Sequence, residues 1–425
     1  MVMKKLIFGI FLYTLLSPEL TYAQDKGDTG KRPKLGVVLS GGGAKGIAHI
    51  GILKALEEEG LRPDYIAGTS MGSIIGGLYA LGYSADQLDT IIRSVNWDLV
   101  LSNNIPLEYI AYEEKEYYTR FLFEFPITKG KLKLPSGMIE GQALGEMLSR
   151  YTWPSKNYAS FDEFPIPFRC VATDVSTGKP IVFSQGSLAK ALRASMAIPT
   201  AFTAVDLDST LAVDGGVVNN FPVEELFNMG ADYVIGVAVS EGFKPAHEIG
   251  SMTGILMQVA MIPSSERLED QKKLCNIYIA PDLEGYSTAS FSSYAEILDL
   301  GYKAGEEYAT AFRHLADSIG QTPQPWPEVP LVPDSIIIES IHVKGNKLVT
   351  ENLIMAKLQI EPGDTVTRDD IEEGIRTIYG ITSFKKVDYK LIPLPSYDHY
   401  ELVVTANEND PVTLKGALHY DNIFK

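Results

Sequence analysis

From residue 34 onward, short apolar runs of strand length alternate with longer stretches in which apolar residues recur at helical spacing. Residues 35–39 (Leu-Gly-Val-Val-Leu), 65–67, 168–173, 211–213 and 233–239 read as strands, and 275–280 reads as the last of them. Helical spacing covers residues 44–59, the segment 73–80 after Ser70, and a long final stretch 293–318. Strand-length runs alternating with helices predict an α/β layered fold around a largely parallel sheet.

The pattern breaks at 320–333. Pro323, Pro325, Pro327, Pro330 and Pro333 force an extended, semi-rigid connector, expected to act as a hinge between two independently folding units. Beyond it lies a strand at 336–343, a helix through Leu358 that Thr350 can cap, and a second helix through Tyr379 opened by the capping box Thr367-Arg368-Asp369-Asp370. Strands at 387–391 and 400–405 complete the order β-α-α-β-β. Residues 412–420 alternate like a strand of a membrane barrel. The smallest such barrel needs about 8 strands of about 10 residues, so the chain is expected to stop just inside one. At the other end, Lys4 and Lys5 precede an apolar core at 6–16 and the small-residue site Thr21-Tyr22-Ala23, the pattern of an export signal. The expected division is a signal at 1–23, a linker at 24–33, a first domain at 34–319, a connector at 320–333, a second domain at 334–410 and the barrel start at 411–425.

Composition narrows the partners. The 425 residues carry a formal charge of −17, which argues against nucleic acid and against strong adhesion to anionic lipid. Any membrane contact must rest on apolar surface or a local basic patch. Cys170 and Cys275 both lie in apolar, strand-like runs. Buried free thiols are expected, and a disulfide after export stays open.

Three glycine-rich stretches carry the chemistry. Gly68-Thr69-Ser70-Met71-Gly72 is a G-x-S-x-G box between a strand and a helix, the arrangement of a nucleophile elbow. Ser40-Gly41-Gly42-Gly43-Ala44-Lys45-Gly46 follows the first strand, and its Gly42, Gly43 and Ala44 N–H groups suit a developing oxyanion. Asp214-Gly215-Gly216 follows the strand at 211–213.

In that order, together with Ala191-Leu192-Arg193-Ala194-Ser195-Met196-Ala197-Ile198-Pro199, these motifs resemble the patatin-like phospholipase family over residues 34–314. The resemblance implies a three-layer α/β/α domain that hydrolyses carboxylic esters of membrane lipid or phospholipid without cofactor or metal. It implies Ser70 as nucleophile, Asp214 as its base, and an oxyanion hole on the loop Gly41, Gly42, Gly43, Ala44, Lys45 and Gly46. Gly68 and Gly72 would flank the elbow, and Gly215 and Gly216 would follow the base. The second unit, with Val343-Lys344-Gly345-Asn346 after its first strand and 380–387 before its second, resembles a POTRA domain. That resemblance implies a place beside an outer-membrane barrel, in the periplasm or at the cell surface, and binding of chains by strand addition.

Other residues compete for roles. Of six histidines only His49 is near a motif, and its helical position favours packing over catalysis. Asp174 is a rival acid, but Thr173-Asp174-Val175-Ser176-Thr177-Gly178 reads as a hairpin turn. Lys45 suits either the loop or a lipid phosphate, or is a solvated surface lysine. Arg193 suits a phosphate or, by default, a core carboxylate. Tyr109, Tyr112, Tyr117, Tyr118, Phe121, Phe123 and Phe125 form an aromatic stretch that is either lid or core. Two other functions remain. Gly41-x-Gly43-x-x-Gly46 fits dinucleotide spacing with Asp64 downstream, although Asp64 precedes the second strand instead of ending it. A catalytically idle interaction or translocation scaffold is compatible with the second domain.

Overall fold

The computed structural model describes residues 32–110, 112, 115, 123–128, 131–132, 136–207, 209–240, 242, 249–250, 252–322, 325–396, 398–410 and 412–416. Strand β1 (Leu35–Leu39) leads through a 3-10 turn (Gly43–Ala48) into helix α1 (His49–Glu58). β2 (Tyr65–Thr69) runs into α2 (Met71–Ala80), α3 (Ala85–Ser94) and the single turn α4 (Trp97–Val100). The hairpin β3 (Phe123–Thr128) and β4 (Lys131–Leu132) and the short β5 (Gly137–Ile139) precede α5 (Gln142–Tyr151). Then come β6 (Phe168–Asp174), β7 (Pro180–Phe183), α6 (Leu188–Ser195), β8 (Thr200–Phe202), β9 (Val205–Asp206) and β10 (Leu211–Asp214). α7 (Val223–Met229), β11 (Tyr233–Val237), α8 (Met252–Ala260), α9 (Ile262–Lys273), β12 (Ile277–Ile279) and α10 (Tyr294–Ser318) end the first domain. The second holds β13 (Ser335–Lys344), α11 (Glu351–Leu358), β14 (Thr365–Thr367), α12 (Arg368–Tyr379), β15 (Phe384–Pro393) and β16 (His399–Glu408), and β17 (Thr413–Gly416) follows it.

The main sheet runs β12-β11-β1-β2-β6-β10-β9, with β7 also on β6. Its centre is parallel from β12 to β6, and β10 returns antiparallel. Successive residues of β1 face opposite sides. Leu35, Val37 and Leu39 join the core beneath α1, α2 and α10, whereas Val38 joins Val223, Leu226 and Leu268 of α7 and α9. Both faces are therefore apolar, which is why the strands read as unbroken runs, and the domain has three layers. α10 lies close against α1. A Cβ on Gly51 would stand 2.1 Å from the Tyr302 nitrogen, and one on Gly301 would stand 2.3 Å from the Ala48 carbonyl oxygen.

The second sheet runs β14-β13-β16-β15, with β13 and β16 parallel. The Thr367–Asp370 capping box forms as expected, whereas the Thr350 hydroxyl makes no cap bond. β14 is an addition to the expected β-α-α-β-β order. It is too short, at three residues, for alternation to reveal it.

The proline connector is not a free hinge. The Trp326 ring lies 4.4 Å from that of Tyr79, tilted by 40°, and its indole N–H donates to the Gly82 carbonyl at 2.9 Å. The described residues from 33 onward form one compact unit. The apolar core of the second domain, built on Ile336, Ile338, Ile371, Ile375, Leu402 and Val404, is completed by Ile105, Ile110 and Trp153 of the first. Residues 413–416 of the expected barrel start pair antiparallel with β3. The export signal, Tyr117, Tyr118, Phe121, the side chains of Phe123 and Phe125, and residues 417–425 lie outside the described residues.

Candidate active site

Ser70 stands at a sharp turn between β2 and α2. Its backbone lies at φ 53°, ψ −126°, a region costly for a residue with a Cβ. The turn is possible because the flanking positions have no side chains. A Cβ on Gly72 would meet the Leu39 carbonyl oxygen at 2.3 Å, and one on Gly68 would meet the Gly72 carbonyl oxygen at 2.5 Å. The Ser70 N–H donates to Ser195 Oγ at 3.0 Å, and Ser195 Oγ donates to the Val171 carbonyl at 2.6 Å. The strained turn is thus tied to β6 through α6.

Sheet register brings Asp214 to the same point. β6 pairs with β2 up to Thr69↔Val171, and with β10 starting from Asp214↔Ala172. Asp214 therefore takes the place along β6 that β2 vacates when the chain turns at Ser70. The hydroxyl of Ser70 donates to Asp214 Oδ2 at 2.7 Å, and Gly216 N–H donates to Oδ1 at 2.7 Å. Thr173 Oγ1 holds the Asp214 carbonyl at 2.8 Å. Burial pushes the Asp214 carboxyl up to about 6, against the opposing pull of the Gly216 N–H and the Ser70 hydroxyl.

The glycine loop lies beside Ser70. A Cβ on Gly41 would stand 2.4 Å from Asn220 Oδ1 and 2.9 Å from the Ser70 Cβ. Gly43 has φ +56° and faces the Thr288 carbonyl. Gly41 N–H is already given to the Asn220 carbonyl at 3.2 Å, and Ala44 N–H to Thr288 at 3.0 Å. Gly42 and Gly43 N–H carry no hydrogen bond among the described residues. Gly46 allows the loop to lie on α2, since a Cβ there would strike Met71 Cγ at 2.5 Å. Lys45 is half-buried.

The rival residues have structural employment. His49 is fully buried, its Nε2 lies 2.9 Å from the Ser40 carbonyl, and burial lowers its pKa to about 4, so it packs as a neutral ring. Asp174 caps its turn, accepting from Ser176 N–H at 2.8 Å and Thr177 Oγ1 at 2.9 Å. Arg193 is buried and, among the described residues, makes no ion pair with a carboxylate. It donates to the carbonyls of Glu140 and Thr203, each at 3.2 Å, and lies over the Phe202 ring. Asp64 accepts from the Lys34 ammonium and the Leu35 N–H, so it is committed to β1. Tyr109 donates to Glu373, whereas Tyr112 is exposed. Both cysteines are free. Among the described residues no group of three His, Cys, Asp or Glu side chains is placed to hold a metal ion. Among those residues no helix is long and apolar enough to cross a membrane.

Ser195, Thr173 and Asn220 were not singled out by the sequence. Each supports the site through a partner more than 40 positions or a whole motif away, such as Asn220 Nδ2 to the Gly41 carbonyl at 3.2 Å. Near them lies a small cavity of about 20 Å³ whose wall is apolar throughout. Met71 and Met196 stand at its Ser70 end, and α3, α4 and α5 supply Ile92, Trp97, Leu144 and Leu148.

Residues 37–227 match the model of the patatin-like phospholipases, and residues 336–406 match that of the surface antigen variable number repeat, POTRA. The chain is 25% identical over 304 residues to lysophospholipase NTE1 of Meyerozyma guilliermondii, covering 66% of this chain and 19% of that protein. It is 30% identical over 302 residues to the patatin-like phospholipase domain-containing protein ZK370.4 of Caenorhabditis elegans, covering 64% and 20%. The chain thus spans about a fifth of the length of these relatives. Among solved structures, VipD from Legionella pneumophila matches with 17% identity and a TM-score of 0.38, over 66% of this chain and 67% of that one.

Proposed function

From a chain that carries a patatin-like phospholipase domain followed by a POTRA domain, we propose a lipid acyl hydrolase of phospholipase A or lysophospholipase type. One observation carries the reading: the Ser70 hydroxyl, raised on a strained elbow, donates at 2.7 Å to a buried carboxylate beside an apolar cavity. Ser70 Oγ attacks the ester carbonyl carbon, and its proton passes to Asp214 Oδ2. Burial makes that carboxylate a better base than an ordinary aspartate. The negative charge on the former carbonyl oxygen is met by the N–H groups of Gly42 and Gly43 on the loop Gly41–Gly46. One such donor is worth about 3 kcal/mol of barrier. Collapse of the tetrahedral centre breaks the ester C–O bond, and the departing alkoxide takes the proton from Asp214. Water then attacks the acyl-serine, giving its proton to the same carboxylate; collapse breaks the bond between the acyl carbon and Ser70 Oγ, Oγ takes the proton back from Asp214, and the free acid leaves. The apolar cavity, about 20 Å³ in this structure, widens to admit the start of the acyl chain and solvates no head group.

Placement follows from the second domain. POTRA domains accompany outer-membrane barrels, which supports export through the 1–23 signal and attachment at the outer membrane through a barrel beginning near 411. The idle-scaffold reading is favoured only by that domain, and a catalytic assay separates the two. The test is hydrolysis of a panel of diacyl phospholipids, lysophospholipids and neutral lipids, with Ser70→Ala as control and fluorophosphonate labelling read by peptide mapping. Acid release that disappears in the folded Ser70→Ala protein, with label on Ser70 alone, is the expected outcome. Equal turnover by the alanine variant, or no turnover of any ester, overturns the reading.

A further inference from the structure

We propose that the POTRA domain is a working part of the acyl-chain site: by clamping α5 it fixes one wall of the apolar cavity and so sets which acyl chains Ser70 accepts. The inference rests on the hydrolase reading for the identity of the cavity's occupant.

Helix α5 has two employed faces. Leu144, Met147, Leu148 and Tyr151 line the cavity that begins at Met71, the neighbour of Ser70. Gln142, Glu146 and Arg150 recur every four residues on another face, as helical spacing requires, and all three grip the POTRA domain. Gln142 is buried, and its amide bonds the backbone of β15 in both directions. Its Nε2 donates to the Val387 carbonyl at 2.9 Å, and its Oε1 accepts from the Val387 N–H at 3.0 Å. β15 is the edge of its sheet, so this amide stands where a neighbouring strand would pair. Glu146 Oε2 accepts from Arg376 Nε at 3.0 Å, and Arg150 Nη1 donates to Glu372 Oε2 at 3.1 Å. Glu372 is 1% exposed and also takes Arg376 Nη2 at 3.2 Å. Glu372 is a buried carboxylate shared by two partly exposed arginines, and taking a partner from a buried charge is costly, so these bonds hold α5 in one position.

The chain on both sides of the wall is held in the same way. Trp153 stands just past the end of α5, after Thr152, and α4, whose Trp97 lines the cavity, is followed by Ile105 and Ile110. All three of Trp153, Ile105 and Ile110 are buried in the POTRA core. The elbow and its carboxylate, by contrast, are held by β2, β6 and α6 inside the first domain. POTRA docking therefore bears on the acyl wall and leaves the Ser70–Asp214 pair to its own supports. Gln142 and Arg376 are positioning residues.

The experiment compares the full chain with Gln142→Met and Arg376→Met, which loosen the clamp from opposite sides. Two readouts are taken: the ratio of kcat/KM for a sixteen-carbon over a four-carbon p-nitrophenyl ester, and equilibrium binding of a fluorescent long-chain fatty acid. Circular dichroism and thermal melts select the folded variants. Both variants are expected to lower the long-to-short ratio and the fatty-acid affinity by about fivefold or more, the scale on which an apolar pocket discriminates. An unchanged ratio and unchanged affinity in folded variants overturn the inference while the hydrolase reading stands. If the wild type cleaves neither ester, the hydrolase reading fails, and fatty-acid binding alone decides whether the clamp sets the cavity. A loss confined to the four-carbon ester places the effect on the chemistry and also overturns it.

Discussion

Asp214 holds a negative charge where burial disfavours one, and the two consequences have opposite signs. Its carboxyl is raised from an ordinary 3.8 to about 6, so the folded state binds the proton more tightly than the unfolded chain does. The stability this contributes is complete below about 3.8 and is lost as pH rises through 6. Asp214→Asn should therefore melt higher than the wild type at pH 8, by up to about 3 kcal/mol from two pKa units, with the gain shrinking toward pH 4. It should also lose nearly all turnover, because an amide accepts no proton from Ser70. In the wild type kcat/KM should rise with pH to a plateau above about 6. Thermal melts at pH 4.5 and 8, and a pH–rate profile, check these points; a variant that melts lower at pH 8 contradicts the first. Ser70, the loop glycines and Asp214 were legible because each sits in a local pattern that few other backbones need. Ser195 and Asn220 were not, since a hydroxyl bonded to the Ser70 N–H and an amide bonded to the Gly41 carbonyl leave no mark on neighbouring residues.

Among the elements, the contact of α1 with α10 supports the site from behind. The last residue of the 3-10 turn that carries the glycine loop is Ala48, and its carbonyl is the group a side chain on Gly301 would strike at 2.3 Å. Gly301→Val should thus destabilise the protein by about 3 kcal/mol, the upper range for overpacking, since backbone and not a flexible side chain must yield. It should also slow turnover by displacing the loop. Gly250→Ala, which meets nothing within 4 Å among the described residues, should stay within about 0.5 kcal/mol. Chemical denaturation of both variants, with activity measured on the folded fraction, tests the pair. β1 was readable because both of its faces are buried. The 3-10 turn was not, because Gly-Ala-Lys-Gly at 43–46 fits a helix start as well as a tight loop and the difference is made by Thr288. The proline connector was misread as a hinge because prolines describe local stiffness, whereas Trp326 docks on a distant helix.

For the whole molecule, the shared core governs how far the parts stand alone. Burying Trp153, Ile105 and Ile110 contributes about 5–8 kcal/mol by side-chain transfer. A domain's net stability is only about 5–15 kcal/mol, so neither part can forgo that contribution lightly. A chain ending near Gln321 should bind a hydrophobic dye and melt well below the full chain, and residues 334–410 alone should lack a cooperative transition. Gel filtration, dye binding and calorimetry of both pieces test this, and two monodisperse, cooperatively melting pieces would contradict it. The same core imposes a calendar on the molecule. Ser70 and Asp214 leave the ribosome long before Val387, the residue that closes on Gln142. During synthesis, and during any passage through a membrane in the same direction, the wall formed by α5 stands unbraced. The braced wall is complete only after the last quarter of the chain has arrived.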